Sequence, residues 1–518
     1  MTSTRLFNFL LVLINRSTAR CASLASEIST SPAMEARSCR NKFILYGLLF
    51  IGSWLLSCLL HFQFLHIPIL SYTYKPSSSH HGAAAGPTTS LLLSPQPAVV
   101  EHRSCNERRV FMLHLPSRFN LLRGCLEGSP EFEDACIVMS NAGLGPELVP
   151  LSSNHTNGVI PNGGWFNTNH HALEVMFHTR MWRYECLTDN PAAATAVYVP
   201  YYPGLELNHY TCDTSAMVRD GPSGEFLRWL SSQPRWATLG GRDHFMVASK
   251  TTWMFRRSGG DDSQGCGNGF LNRPECLNMT VLTIESNIWE RRDMAVPYPT
   301  YFHPSSSSEV AAWQARARGA HRPWLFAFAG GRRPNGTLVL RDRVIDQCES
   351  SSRCGMLDCS HGLEGSITCQ SPEKLMYLFV SSQFCLQPYG DSFMRRSSID
   401  AVVAGCIPVF FHEASTFEKQ YRWHEPDRGR DGVHRSYSVF IDNDHVLEGK
   451  VDIEEVLSRF TDEEVAAMRE EVIKMIPRFV YTDPRVRFEG DMRDGFDIAI
   501  DEVMARMMRI ENGEDLGW

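Results

Sequence analysis

No long run of lysine and arginine occurs in this 518-residue sequence, and its formal net charge is −8 at pH 7. That balance argues against a nucleic-acid binder. No two cysteines stand in the C-x2-C spacing of a zinc site, although there are 16 of them. Thirteen fall from Cys105 onward, and disulfides formed in an oxidising lumen are the better reading. An odd number leaves one thiol over; Cys385 and Cys406, on apolar strands, are the expected free ones. The glycine triplet Gly265-x-Gly267-x-Gly269 lacks both the G-x-G-x-x-G spacing and a preceding apolar strand, so it does not mark a dinucleotide site. A small-residue A-x-A cleavage site after a short apolar core is also missing, which argues against a cleaved leader.

What is present is a chain with 43% hydrophobic and 21% charged residues, enough to build large cores in two or three domains. Residues 1–42 read as a cytosolic tail, and 43–65 (FILYGLLFIGSWLLSCLLHFQFL) are long and apolar enough to span a bilayer. Arg37, Arg40 and Lys42 precede that run, so the positive-inside rule orients it as a type II signal anchor. Met34 opens a compact basic tail directly before the anchor and is a second candidate start. Residues 66–103, rich in Pro, Ser, Ala and His, read as a flexible stem. Sequons at Asn154, Asn278 and Asn335 fit passage through the secretory route.

The remainder alternates apolar strands with helices, the pattern of doubly wound parallel sheets. Residues 104–321 form one Rossmann-like lobe and 322–480 a second, with a helical segment over 481–518. Thr461, followed by Glu464, predicts a capped helix. Within the second lobe, 384–411 (FCLQPYGDSFMRRSSIDAVVAGCIPVFF) reads as strand, Pro-Tyr-Gly turn, helix and buried strand, with Ser392 as helix cap. A strand leading through a tight turn into a helix N-terminus is an anion site. Arg395 and Arg396 in a first helical turn oppose the dipole, and a bound diphosphate explains them. A surface corner with an Arg396–Asp400 pair at i,i+4 explains the same residues.

This stretch resembles the donor-binding signature of the exostosin-like glycosyltransferases (plant family 47), xyloglucan galactosyltransferase branch, which reads C-L-Q-P-x-G-D-S-x-x-R-R-S-x-x-D-x-x-x-A-G-C-I-P-V-F-F. Cys385 through Phe411 satisfy every fixed position. The resemblance extends over about residues 105–510, through Gly241-Arg-Asp-His-Phe245, Pro299-Thr-Tyr-Phe-His-Pro304 and Phe328-Ala-Gly330 with Arg333. It implies a GT-B arrangement, two Rossmann-like lobes around a cleft, behind a single N-terminal transmembrane helix. It further implies a UDP-sugar-dependent inverting enzyme of the Golgi membrane, with its catalytic part in the lumen. Such an enzyme moves galactose from UDP-galactose to xylosyl side chains of xyloglucan without a metal or other cofactor, in the company of other Golgi glycosyltransferases. UDP-arabinose, UDP-galacturonic acid or another wall glycan are the alternatives within the family, and a non-catalytic glycan-binding scaffold is the alternative outside it.

On this reading Gly330, Arg333, Arg341, Gly390, Ser392, Arg395, Arg396, Ser397 and Asp400 bind the donor. The general base comes from the facing lobe, as His244 or Asp243, with Glu206 a rival. A core histidine beside a capping aspartate explains Asp243-His244 as well. Trp165, Tyr201 and Tyr202 are candidates to stack on acceptor sugars. Asp442-Asn-Asp444 spells the D-x-D of metal-dependent transferases, but a polar turn accounts for it. The family's Tyr-Asp-Leu-Pro strand end is Leu113-His114-Leu115-Pro116 here, and Arg332 replaces a usual proline. Asn335 lies beside the donor loop, so its sequon is expected to be unoccupied.

Overall fold

Two five-stranded parallel sheets make up the frame of the protein in the computed structural model. The structure describes residues 105–120, 137, 139–149, 158–257, 266–332, 339–360, 365, 368–426 and 436–514. The anchor, tail and stem segments, Arg333, Asn154 and Asn335 lie outside the described residues. Among the described residues no helix is long and apolar enough to cross a membrane.

The first sheet runs in chain order: β1 (Val110–Met112), β2 (Ala196–Tyr198), β3 (His244–Thr251), β4 (Thr280–Glu285) and β5 (Met294–Ala295). Its strands are apolar on both faces because both are covered. Val197, Met246 and Val281 face a cluster containing Phe226, Leu230, Phe255 and Phe270, whereas Tyr198, Phe245, Val247 and Leu282 face the main core. On this sheet α1 (Leu173–Met181) lies on the main-core side and α2 (Ala216–Ser231) on the other.

The second sheet has the order β10-β9-β8-β6-β7, built from β6 (Trp324–Gly330), β7 (Cys354–Asp358), β8 (Ser382–Gln387), β9 (Ile407–Phe410) and β10 (Val439–Phe440). Between these strands run α3 (Val339–Ser350), α4 (Pro372–Val380) and α5 (Arg396–Val403). Strand order reverses between β6 and β8, and ligands of open α/β sheets settle outside the carboxyl ends of strands at such a point. Gly405, at φ +64°, takes the left-handed conformation that ends α5.

Cys385 and Cys406, the expected free thiols, are instead bonded to each other, as are Cys105–Cys186, Cys212–Cys266, Cys348–Cys354 and Cys359–Cys369. Adjacent strands explain the correction. β8 and β9 are neighbours, and the Cα atoms of Cys385 and Cys406 are 5.8 Å apart, within bridging reach. Cys276 is the buried free cysteine among the described residues. Closing a chain separation of 21 residues stabilises the fold by about 3 kcal/mol through loop entropy. The double variant Cys385→Ala/Cys406→Ala is therefore expected to melt several degrees lower, in calorimetry, than the wild type.

Two long helices finish the chain: α6 (Asp462–Phe479), opened by the Thr461–Glu464 capping box, and α7 (Gly495–Glu511), opened by Asp494. α7 returns to the first sheet, where Phe496 meets Phe177 and Arg506 donates to Thr280 Oγ1 at 3.1 Å. Buried hydrogen bonds tie the sheets together. Ser286 N donates to Gln420 Oε1 at 2.9 Å, Tyr421 Oη to the Ile284 carbonyl at 2.9 Å, and Tyr481 Oη to the Pro297 carbonyl at 2.8 Å.

Candidate active site

A cavity of about 710 Å³ opens at the carboxyl ends of β6 and β8. Gly330, Gly331 and Arg332 follow β6 there; Gly390 through Ser392 and Met394 through Ser397 follow β8. The helix start differs from expectation. α5 opens at Arg396, with Arg395 in the cap position and no side-chain cap, so Ser392 lies before the helix. Its backbone is engaged elsewhere: Glu285 Oε2 accepts from Met394 N at 2.7 Å, and Ser415 Oγ donates to the Phe393 carbonyl at 2.8 Å. Both arginines consequently stand at the mouth of an uncapped helix N-terminus, facing the cavity.

Arg341, on α3, is buried and reaches the same cavity past Gly390. A Cβ on residue 390 would lie 2.5 Å from Arg341 Nη2. The variant Gly390→Ala should displace this guanidinium and raise the donor KM about tenfold, with kcat less affected, in steady-state kinetics.

Arg396 is the most enclosed of the cations. Its guanidinium lies 3.5 Å over the Tyr301 ring, Nη1 donates to the Thr168 carbonyl at 2.7 Å, and Nε is 3.4 Å from Asp400 Oδ2. Nη2 is buried without a hydrogen-bond partner among the described residues. Burial raises the Asp400 pKa to about 6 against the opposing pull of Arg396. Arg332, also at the rim, is paired with Asp346 at 2.6 Å and Glu349 at 3.0 Å.

The first sheet contributes His170 and Tyr298 to the wall. His170 is exposed where it lines the cavity, with its ring 3.9 Å from that of His171. Desolvation first, then the charges of Arg396 and Lys250, hold its pKa below the ordinary value, so its imidazole is neutral at pH 7. Its neighbour His171 anchors the segment, with Nδ1 2.7 Å from the Ser249 carbonyl. Glu285, the last residue of β4, is buried, and desolvation raises its pKa to about 7. It positions the chain entering α5. Glu174 is a second buried carboxyl near pKa 7, raised by desolvation; it accepts from Gly204 N and Ser249 N at 2.7 and 2.8 Å.

The exostosin GT47 domain model matches residues 104–457. The chain belongs to the exostosin GT47 family. It is 41% identical over 408 residues to the xyloglucan galactosyltransferase MUR3 of Arabidopsis thaliana, covering 78% of this chain and 63% of MUR3. The chain thus spans less than two thirds of that relative's length. The probable xyloglucan galactosyltransferase GT15 of the same plant is 40% identical over 424 residues, covering 80% of this chain and 85% of GT15. Its xyloglucan-specific galacturonosyltransferase 1 is 36% identical over 411 residues, covering 78% and 58%.

For this GT47 chain the structure brings Gly330, Arg341, Gly390, Ser392, Arg395, Arg396 and Ser397 to one cavity. Asp400 is 1% exposed and does not line it; the aspartate sits behind Arg396 as its ion-pair partner. The base candidates need correction. Asp243 and His244 lie at the amino end of β3, whereas Glu285, at the carboxyl end of neighbouring β4, touches the cavity loop. The length of β3 puts His244 roughly 20 Å from that edge. There His244 is fully buried against Trp236 and 2.7 Å from Asp243, which also pairs with Arg235 at 2.9 Å. Neither lines the cavity. Glu206 starts no better: it lies in the short helix Pro203–Leu207, accepts from Tyr210 Oη at 3.3 Å, and does not line the cavity.

Trp165, Tyr201 and Tyr202 are buried at 0%, 2% and 8% exposure and belong to the cores rather than to a sugar platform. Asp442 caps the helix Asn443–Leu447, accepting from Asp444 N at 2.9 Å. Asn278 is exposed at the end of the helix Pro274–Asn278, with Nδ2 donating to the Gly240 carbonyl at 3.0 Å. His170 escaped the sequence reading because it sits in an Asn-His-His turn that carries no periodic signal. The available sign was its place immediately before the apolar helix α1.

Proposed function

We propose that this chain is an inverting glycosyltransferase that moves galactose from UDP-galactose to xylosyl side chains of xyloglucan. One observation carries the reading. Arg341, Arg395 and Arg396 converge with an uncapped helix N-terminus on the cavity at the β6/β8 reversal. Guanidinium forks and helix N–H groups match the oxygens of a diphosphate. The two parallel sheets meeting at this cavity support a GT-B arrangement, lobes 104–321 and 322–480.

The acceptor hydroxyl attacks the anomeric carbon from the face opposite UDP. As its oxygen bonds to that carbon, the bond to the diphosphate oxygen breaks and UDP leaves with the electron pair. The hydroxyl proton passes to His170, which faces the arginines across the cavity, is neutral at pH 7, and becomes imidazolium. The arginines stabilise the charge that develops on the departing diphosphate, so the reaction needs no metal. The charge of that diphosphate also raises the His170 pKa while the donor is bound, making it a better base.

A galacturonosyl donor is the second reading, because one relative carries that activity in its name. It brings a carboxylate that asks for one more cation, and Arg332 is already committed to Asp346 and Glu349. Galactose is therefore the preferred sugar. Competition between UDP-galactose and UDP-galacturonic acid for one xylosylated oligosaccharide tests this: galactose should dominate the product, and a galacturonosyl product would transfer the assignment. Five disulfides among the described residues, together with the apolar segment 43–65, support a lumenal catalytic part on a type II Golgi anchor.

A further inference from the structure

Two tryptophans stand exposed beside the cavity, Trp253 at 43% and Trp289 at 62%. Both belong to connections that leave the carboxyl edge of the first sheet. Trp253 is in the short helix after β3, and Trp289 is in the turn between β4 and β5. Each engages the loop that forms the cavity floor. Trp253 Nε1 donates to Ser392 Oγ at 2.9 Å, and the Trp289 ring meets Phe393 edge-on at 5.7 Å. Phe393 stacks on His412 at 4.7 Å and lies 6.0 Å from Tyr389. The rings form a strip that crosses from one sheet to the other at the cavity rim, and Ser392 belongs to both strip and cavity.

We infer that this strip is the acceptor subsite, and that it takes the backbone of a neutral β-linked glucan chain. The inference rests on the proposed function and adds to it where the acceptor lies. The faces of β-linked pyranose rings present rows of C–H groups, which stack on aromatic rings, while their edges carry hydroxyls for hydrogen bonding. Ring stacking with hydroxyl partners at the margin suits an uncharged polysaccharide. Continuity with the cavity at Ser392 lets a backbone lie across Trp289 while a side-chain sugar descends toward His170 and the donor.

The test uses the full-length chain in detergent, comparing wild type with Trp289→Ala, Trp289→Phe and Trp253→Ala. Affinity for xylosylated glucan is read by retardation in polysaccharide-containing gels and by acceptor KM; UDP affinity is read by calorimetry. Trp289→Ala should lose roughly tenfold in acceptor affinity, the size of one stacked ring, with UDP affinity and melting temperature unchanged. Trp289→Phe should recover most of it. Acceptor affinity unchanged in both Trp289→Ala and Trp253→Ala overturns the subsite. Glucan binding that depends on Trp289 without sugar transfer would overturn the enzymatic reading and leave the subsite standing.

Discussion

Alanine at position 396 is expected to lower kcat for sugar transfer by about a thousandfold, the cost of removing one preorganised group from a developing anion. The donor KM should rise far less, because the charge on the leaving diphosphate peaks in the transition state. Arg396 is well placed for this, lying over Tyr301 and bonded to the Thr168 carbonyl, so its guanidinium is fixed before substrate arrives. The variant leaves Asp400 buried without its cation. A carboxyl already raised to about pKa 6 then takes up a proton, which limits the damage to folding. Melting curves of Arg396→Ala and Arg396→Ala/Asp400→Asn should accordingly lie close together at pH 6. Arg396→Lys keeps the charge but loses the fork, and should recover only part of the rate. Wild-type turnover in Arg396→Ala would remove this arginine from the mechanism.

The second large effect is expected at His170. His170→Ala should reduce transfer by roughly a thousandfold while UDP affinity measured by calorimetry stays within a few-fold, since a base acts on the acceptor and not on the nucleotide. The pH profile gives an independent sign. A base works when neutral, so rate falls as pH drops through its pKa. Desolvation, Arg396 and Lys250 hold that pKa below the ordinary histidine value. The acid limb of kcat/KM, which reports the free enzyme, should therefore lie below pH 6.5 and be absent in His170→Ala. His171→Ala is the comparison. That ring is bound to the Ser249 carbonyl, so its loss should lower the melting temperature without moving the acid limb.

What could be seen from the sequence follows a physical division. Parallel strands such as β2 and β8 are largely apolar and short, and helices such as α6 carry their own capping box, so local chemistry announces them. The arginine side of the cavity was legible for a related reason: strand, glycine turn, arginines and helix are contiguous in the chain, and the fold has only to close them up. The base was not. Its side of the cavity is assembled from the turn before α1 and the segment after β5, which are far apart in sequence. Asp243-His244 looked suitable by residue type alone; only the direction of β3 shows that the pair sits at the wrong end of a parallel strand. The Cys385–Cys406 bridge likewise depends on β8 and β9 being neighbours, which strand order decides and residue spacing does not. The exposed tryptophans were passed over because an aromatic residue in sequence gives no sign of which side of a surface it occupies. Trp165 and Trp289 look alike until the fold buries one and leaves the other exposed beside Phe393.

The central claim is that arginines at the β6/β8 reversal do the work of a metal in an inverting galactosyl transfer. The most direct measurement incubates the full-length chain with UDP-galactose and a xylosylated glucan oligosaccharide in excess EDTA, and determines the linkage of the product by NMR. The account predicts β-linked galactose on xylose, formed at the same rate with and without the chelator. Transfer only on adding manganese, or an α-linked product, would contradict it.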